Sequence, residues 1–198
     1  MKTLSTTSLA QLCMIVISFA GLSSCASEDP ITVLLNPFSK TLMPVGTAIP
    51  YAAADGSSGS LVLDDSETYF ENTVYETSPT LFGKTELYAD QENIVRKYTS
   101  EDIDITYHLS AVASNAGVYN DLDITIESAG GLAETSVTLP TLEQGEVTED
   151  LVFMDSVVFG GTTLYDIFQY DHGGRDYYFR IPLGLTGFTH DGQEWVLY

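Results

Sequence analysis

Along most of the chain apolar and polar residues alternate with a period of two, the pattern of strands that bury one face. The longest run is Ile103, Ile105, Tyr107, Leu109, Ala111 and Ala113, interleaved with Asp104, Thr106, His108, Ser110 and Val112. Leu122, Ile124 and Ile126 alternate in the same way with Asp123, Thr125 and Glu127, and Tyr177, Phe179, Ile181 and Leu183 with Tyr178, Arg180 and Pro182. The proline in the last run predicts an edge or a strand end. Residues 152–159 and 163–170 flank Gly160-Gly161, a hairpin signal. Asp171-His172-Gly173-Gly174 and His190-Asp191-Gly192-Gln193 read as turns, and Asp-Gly in the second suits a type I′ turn. The only helix candidate is residues 89–97. Strand-type residues and short turn spacing predict an all-β domain over residues 59–198, an antiparallel sandwich or barrel-like meander.

Two stretches before it break the pattern. Leu12-Cys13-Met14-Ile15-Val16-Ile17-Ser18-Phe19-Ala20 is an apolar run of nine residues behind Lys2, followed by the small residues of Gly21-Leu22-Ser23-Ser24. It is shorter than the roughly 20 residues a transmembrane helix needs and has the layout of an export signal over residues 1–24. A buried N-terminal helix and a plain secretory signal cut near Ala26 are the alternatives. Pro30, Pro37, Pro44 and Pro50 then recur every six or seven residues, ahead of a Gly/Ser patch at residues 56–60. Proline at this density opposes helices and central strands, so residues 25–58 are expected to form a tether. At about 3.1 Å per residue that tether would reach roughly 100 Å. Ile31-Thr32-Val33-Leu34-Leu35 is apolar enough to be a strand or to dock on the domain.

Leu22-Ser23-Ser24-Cys25 fits the bacterial lipobox at all four positions, and the signal resembles that of a bacterial lipoprotein. The resemblance implies that Cys25 carries a diacylglyceryl thioether and an acylated amine, several chains that together give stable anchoring. Ala26 after the cysteine is similar to an outer-membrane sorting pattern, and Ser27-Glu28-Asp29 resembles the acidic tag of surface-exposed lipoproteins of Bacteroidota. Near the C-terminus, Gly184, Phe188, Asp191-Gly192, Trp195 and Leu197 stand as Gly-x3-Phe-x2-Asp-Gly-x2-Trp-x-Leu. This resembles the closing hairpins of small, uncharacterised lipoproteins of that group, in which Phe188 and Trp195 would face each other across a hairpin. The implied location is the outer membrane, lipid-anchored and exposed at the cell surface.

Removal of 24 residues would leave 174, with all 28 acids and six of the seven bases, a formal net charge of −22. Such a surface repels phosphate backbones and anionic headgroups, which argues against nucleic-acid binding and leaves the lipid as the membrane contact. Cys13 leaves with the signal and Cys25 is consumed by lipid, so neither thiol catalysis nor a cysteine metal site is expected.

Candidate chemistry is sparse. His108 is expected on the polar face of a strand, and His172 and His190 in solvated turns beside Asp171 and Asp191. No His-x3-His spacing, Gly-x-Ser-x-Gly elbow or phosphate loop occurs in the sequence. Asp102/Asp104 and Asp121/Asp123 place carboxylates on one strand face, which reads first as a solvated face. The other reading is a glycosidase pair or loosely held Ca2+; no cofactor is otherwise expected. Tyr165, Tyr170, Tyr177 and Tyr178 read first as core and sandwich-edge residues; the other reading is a candidate aromatic platform for a glycan or protein partner. Asp155-Ser156-Val157 is similar to an O-glycosylation site of Bacteroidota but falls in a predicted strand and is not expected to be modified. The expected function is a non-enzymatic binding or structural accessory module of the envelope, with no catalytic or metal residues assigned. The alternative is an acid-pair carbohydrate hydrolase.

Overall fold

The structure is a computed structural model that describes residues 29–80, 83–114, 117–140, 151–172, 174–181 and 183–198. The lipobox, with Cys25, lies outside the described residues. The elements are β1 (Ile31–Val33), α1 (Pro37–Lys40), β2 (Ala48–Ala53), β3 (Ser58–Thr80), β4 (Gly83–Thr99), β5 (Ile103–Ser114) and β6 (Gly117–Ser128). They continue with β7 (Gly131–Pro140), β8 (Leu151–Phe159), β9 (Thr162–His172), β10 (Arg175–Arg180), β11 (Gly184–His190) and β12 (Gln193–Leu197).

Eleven strands form one antiparallel sheet in the order β7-β6-β5-β4-β3-β2-β12-β11-β10-β9-β8, curled into a half-barrel, with β1 added parallel to β4. The sheet is two meanders, β2 to β7 and β8 to β12, sewn together where β2 pairs β12 through Trp195↔Ala53, Val196↔Ala52 and Leu197↔Tyr51. The alternation read from the sequence sets the concave face. In β5 the residues Ile103, Ile105, Tyr107, Leu109 and Ala111 are buried, and Leu122, Ile124 and Ile126 of β6 lie beside them. The concave core also holds Tyr98, Tyr177, Phe179, Phe188 and Leu61.

Residues 31–53 are not a tether. Val33, Leu35, Leu42, Met43, Ile49 and Tyr51 are all buried in the main core. The prolines here fix the chain instead of freeing it. Pro37 opens α1 behind Asn36, whose Oδ1 accepts the Phe38 N–H at 2.8 Å. The Pro44 carbonyl accepts from Arg96 and, at 3.3 Å, from the Tyr98 hydroxyl. The segment crosses the concave side. At one end the Asn36 N–H donates to Asn120 Oδ1 of β6 at 2.9 Å. At the other, a Cβ on Gly184 of β11 would come within 2.7 Å of the Leu42 carbonyl. Between them Glu92 of β4, itself buried, accepts from the Leu35 N–H at 3.0 Å and from Lys40 Nζ at 2.7 Å.

The helix expected over residues 89–97 is instead the centre of β4, paired with β3 on one side and with β1 and β5 on the other. Two ladders satisfy its backbone, and its alternate polar residues meet polar partners: Asn93 Oδ1, for instance, lies 3.1 Å from His108 Nε2.

The Gly160-Gly161 hairpin forms as read, both residues having positive φ. Its ribbon leaves the sheet where β10 pairing stops, at Ile167, next to Asp166 with φ of 52°. The tip lies on the convex face of β11 and β12, where Phe159, Ile167, Tyr178 and Val196 form a second, smaller core. Gly187 lets the ring in close, since a Cβ there would sit 3.0 Å from Phe159. β11 and β12 are therefore covered on both faces.

Candidate functional site

Four turns converge at one end of the half-barrel: β2–β3, β4–β5, β6–β7 and β11–β12. Between them lies an open cleft of about 210 Å³ lined by Asp55, Ser57, Asp102, Ser128, Gly130, His190, Asp191, Gln193 and Trp195.

Each side chain is placed by local chemistry. Asp55 closes an Asx turn, its Oδ1 accepting from the Ser57 N–H at 2.8 Å and the Ser57 hydroxyl at 2.6 Å. Those bonds hold its carboxyl below the ordinary range. Asp102 lies in the bend before β5 and accepts from the Tyr51 hydroxyl at 2.5 Å. Burial, then that carboxylate, pushes the Tyr51 phenol up. The Tyr51 ring lies over Gly59, where a Cβ would meet its hydroxyl at 2.7 Å, and it packs on Trp195 with centroids 5.6 Å apart. Asp191 and Gly192 both have positive φ, as the expected type I′ turn requires. Phe188 and Trp195 are cross-strand partners with parallel rings 6.2 Å apart, the pairing expected for the last hairpin.

His190 is not a solvated turn residue. It ends β11, is 3 % exposed, and has its Nε2 2.9 Å from Ser128 Oγ and 3.4 Å from Asp191 Oδ2. Ser128 Oγ also donates to Asp191 Oδ2 at 2.8 Å and accepts from the Gly130 N–H at 3.1 Å. With its one proton on Asp191, the serine accepts from His190, so Nε2 carries hydrogen. Serine, histidine and aspartate thus meet, but in the wrong order for an activated nucleophile. That chemistry needs a base that accepts the serine proton and an acid behind its other ring nitrogen. Here the carboxylate is on the serine side, and Nδ1 is buried with no partner among the described residues. The cluster locks the β6–β7 turn onto the β11–β12 turn. Gly130 permits it, because a Cβ there would stand 1.7 Å from Asp191 Oδ2.

The four candidate tyrosines do not share an exposed platform. Tyr170 and Tyr177 are cross-strand partners in the concave core, 6.5 Å apart, and the Tyr170 hydroxyl donates to the Ser136 carbonyl of β7 at 2.8 Å. Tyr178 points the other way and packs on Phe159 at 4.7 Å under the flap. Only Tyr165 is exposed, at 57 %. Neighbours in sequence fall on opposite faces of a strand, which separates Tyr177 from Tyr178.

Of the acid pairs, Asp121 and Asp123 do share the convex face of β6. Thr138 donates to Asp121 at 2.7 Å, while desolvation, and to a smaller degree Asp123, raises the Asp121 carboxyl above its ordinary range. Asp102 and Asp104 are separated, since Asp102 faces the cleft and Asp104 lies 3.8 Å from Lys97. His108 sits on the polar face as expected, and His172 is exposed at the end of β9. Ser156 is exposed on β8. Among the described residues no three His, Cys, Asp or Glu side chains converge to hold a metal ion. No helix among them is long and apolar enough to cross a membrane.

Comparison with protein-family models, with curated proteins and with solved structures gave no match to this chain.

Proposed function

We propose that this chain is a lipid-anchored protein of the cell envelope, held at the outer membrane through Cys25 and exposed at the surface. Its β domain acts there as a non-enzymatic binding or structural accessory module. The observation that carries the binding reading is the four-turn cleft, a polar recess built from four separate loops on a rigid sheet. Its acceptors are the carboxylates of Asp55, Asp102 and Asp191, and its hydroxyls and amide suit a ligand rich in hydroxyl groups, such as a glycan. The anchor would hold this domain close. From Cys25 to Ile31, the first paired residue, an extended chain spans about 20 Å, far less than the 100 Å of a long tether.

A second reading, hydrolysis of a carbohydrate by paired acids, is favoured by the same three carboxylates, which reach one cleft from three different turns. One experiment separates the two. The purified domain is applied to a glycan array, and its hits are assayed for release of reducing ends, with Asp102→Asn and Asp191→Asn alongside. Binding without turnover, lost in both variants, supports the module. Turnover lost in both variants selects the hydrolase. Binding that survives both substitutions removes the cleft as the site.

A further inference from the structure

The β3–β4 ribbon offers a second, independent surface. β2 pairs β3 at residues 58–62, and the Leu63 N–H reaches the Thr47 carbonyl at 2.9 Å. From residue 65 to 80 the other edge of β3 meets no strand among the described residues, and β4 is its only partner. Over residues 65–74 the register with β4 is unbroken, with bulges only at either end. An edge of this length without a bulge is a template for another strand, since about half of its N–H and C=O groups point outward. Lysine and proline, two of the residue types that guard such edges, are absent from residues 65–74, and the charges that stand there, Asp65, Glu67 and Glu71, are all acidic.

The side chains say what kind of strand fits. Asp65, Glu67 and Glu71 lie on one face with Tyr69 and Thr73. Ser66, Thr68, Phe70, Asn72 and Val74 occupy the other, with Phe70 55 % and Val74 45 % exposed and Tyr88 of β4 opposite Val74. Residues 64–80 hold five acids and no base. The acids alone would be a solvated face; it is the open backbone beside them that calls for a partner. A second copy of this edge would set acid against acid, which disfavours self-pairing.

We propose that residues 65–74 of β3 accept an extended segment of another protein as an added strand. The segment carries lysine or arginine at alternate positions, over Asp65, Glu67 and Glu71, and apolar residues between them, over Phe70 and Val74. Backbone pairing supplies affinity and the alternating side chains supply selectivity.

The test uses the folded protein and a synthetic ten-residue peptide of alternating lysine and valine, with binding read by fluorescence anisotropy and amide hydrogen exchange. Binding is expected to protect amides within residues 65–74, and to weaken at least tenfold when alternate peptide nitrogens are methylated. The exposed pair Glu67→Lys with Glu71→Lys is expected to weaken it at least tenfold without changing the melting temperature. Equal binding of the methylated peptide, protection elsewhere, or no binding at millimolar peptide overturns the proposal. So does a concentration-dependent dimer, seen by sedimentation without peptide, that protects the same amides.

Discussion

Replacing Leu42 with alanine asks whether the proline-rich stretch belongs to the fold. Leu42 is 1 % exposed, and it stands in a segment with Met43, also 1 % exposed, that crosses the concave side of the sheet. Truncating a fully buried leucine costs about 2–5 kcal/mol, through lost transfer energy and the cavity left behind. Set against a typical total of about 5–15 kcal/mol, this is a large fraction of the stability. In a domain of this size each kcal/mol moves the melting temperature by about 2–4 °C, so Leu42→Ala is expected to melt about 4–20 °C lower. Leu34→Ala is the internal control, because Leu34 lies in the same stretch but is 60 % exposed. Its expected effect is within about 0.5 kcal/mol. Circular dichroism in urea and on heating reads both. If the two variants melt alike, close to wild type, the segment is a tether after all and the plugged half-barrel is wrong.

Phe159→Ala removes the ring that packs on Tyr178 and Gly187, and should release the tip of the β8–β9 flap. Amide exchange at Gly160, whose N–H donates to Glu194, is expected to quicken by more than tenfold while β5 and β6 stay protected; uniform change across the sheet would contradict a separable flap. Gly130→Ala forces a Cβ onto Asp191, so it should break the Ser128–Asp191 bond and cost about 1–3 kcal/mol, and a variant as stable as wild type in urea would show that the two turns are not locked. Asp121 has a raised folded pKa, so the folded state holds its proton longer than the unfolded chain does. Stability should therefore fall as pH rises from the ordinary carboxylate value through that raised one, and Asp121→Asn should flatten the slope in that window. Carbon NMR titration should place the Asp121 midpoint above 3.8 and that of Asp55 below it; the reverse order would refute the burial of Asp121 and the Ser57 cap.

The strands with one buried face were legible because their signal is local. Residues 103–110 alternate without a break, and β5 contains them. The Asp191-Gly192 and Gly160-Gly161 turns were legible for the same reason, since positive φ demands those residue types. The apolar run at residues 31–35 was legible as a strand, which β1 is, but the rest of the stretch to residue 53 was misread because proline density is shared by tethers and by fixed, capped loops. One signal would have told them apart. A chain with 28 acids has none between Pro30 and Ala54, the composition of a buried segment and not of a solvated one. The candidate cleft was not legible, because Asp55, Asp102, Ser128 and Asp191 are far apart in sequence and meet only through the curl of the sheet. Burial, the first reading of the tyrosine cluster, holds for Tyr170, Tyr177 and Tyr178, but the face each takes was not legible, since it depends on what packs on each face. The flap that buries Tyr178 on the convex side had no local signature beyond its glycines.

The anchored module is tested most directly by mass spectrometry of the N-terminal peptide from the native membrane fraction. The expected chain begins at Cys25, with a diacylglyceryl thioether on sulfur and an acyl group on the freed amine. An unmodified Cys25 still joined to Ser24, or a free terminus at Ala26, would contradict the anchor.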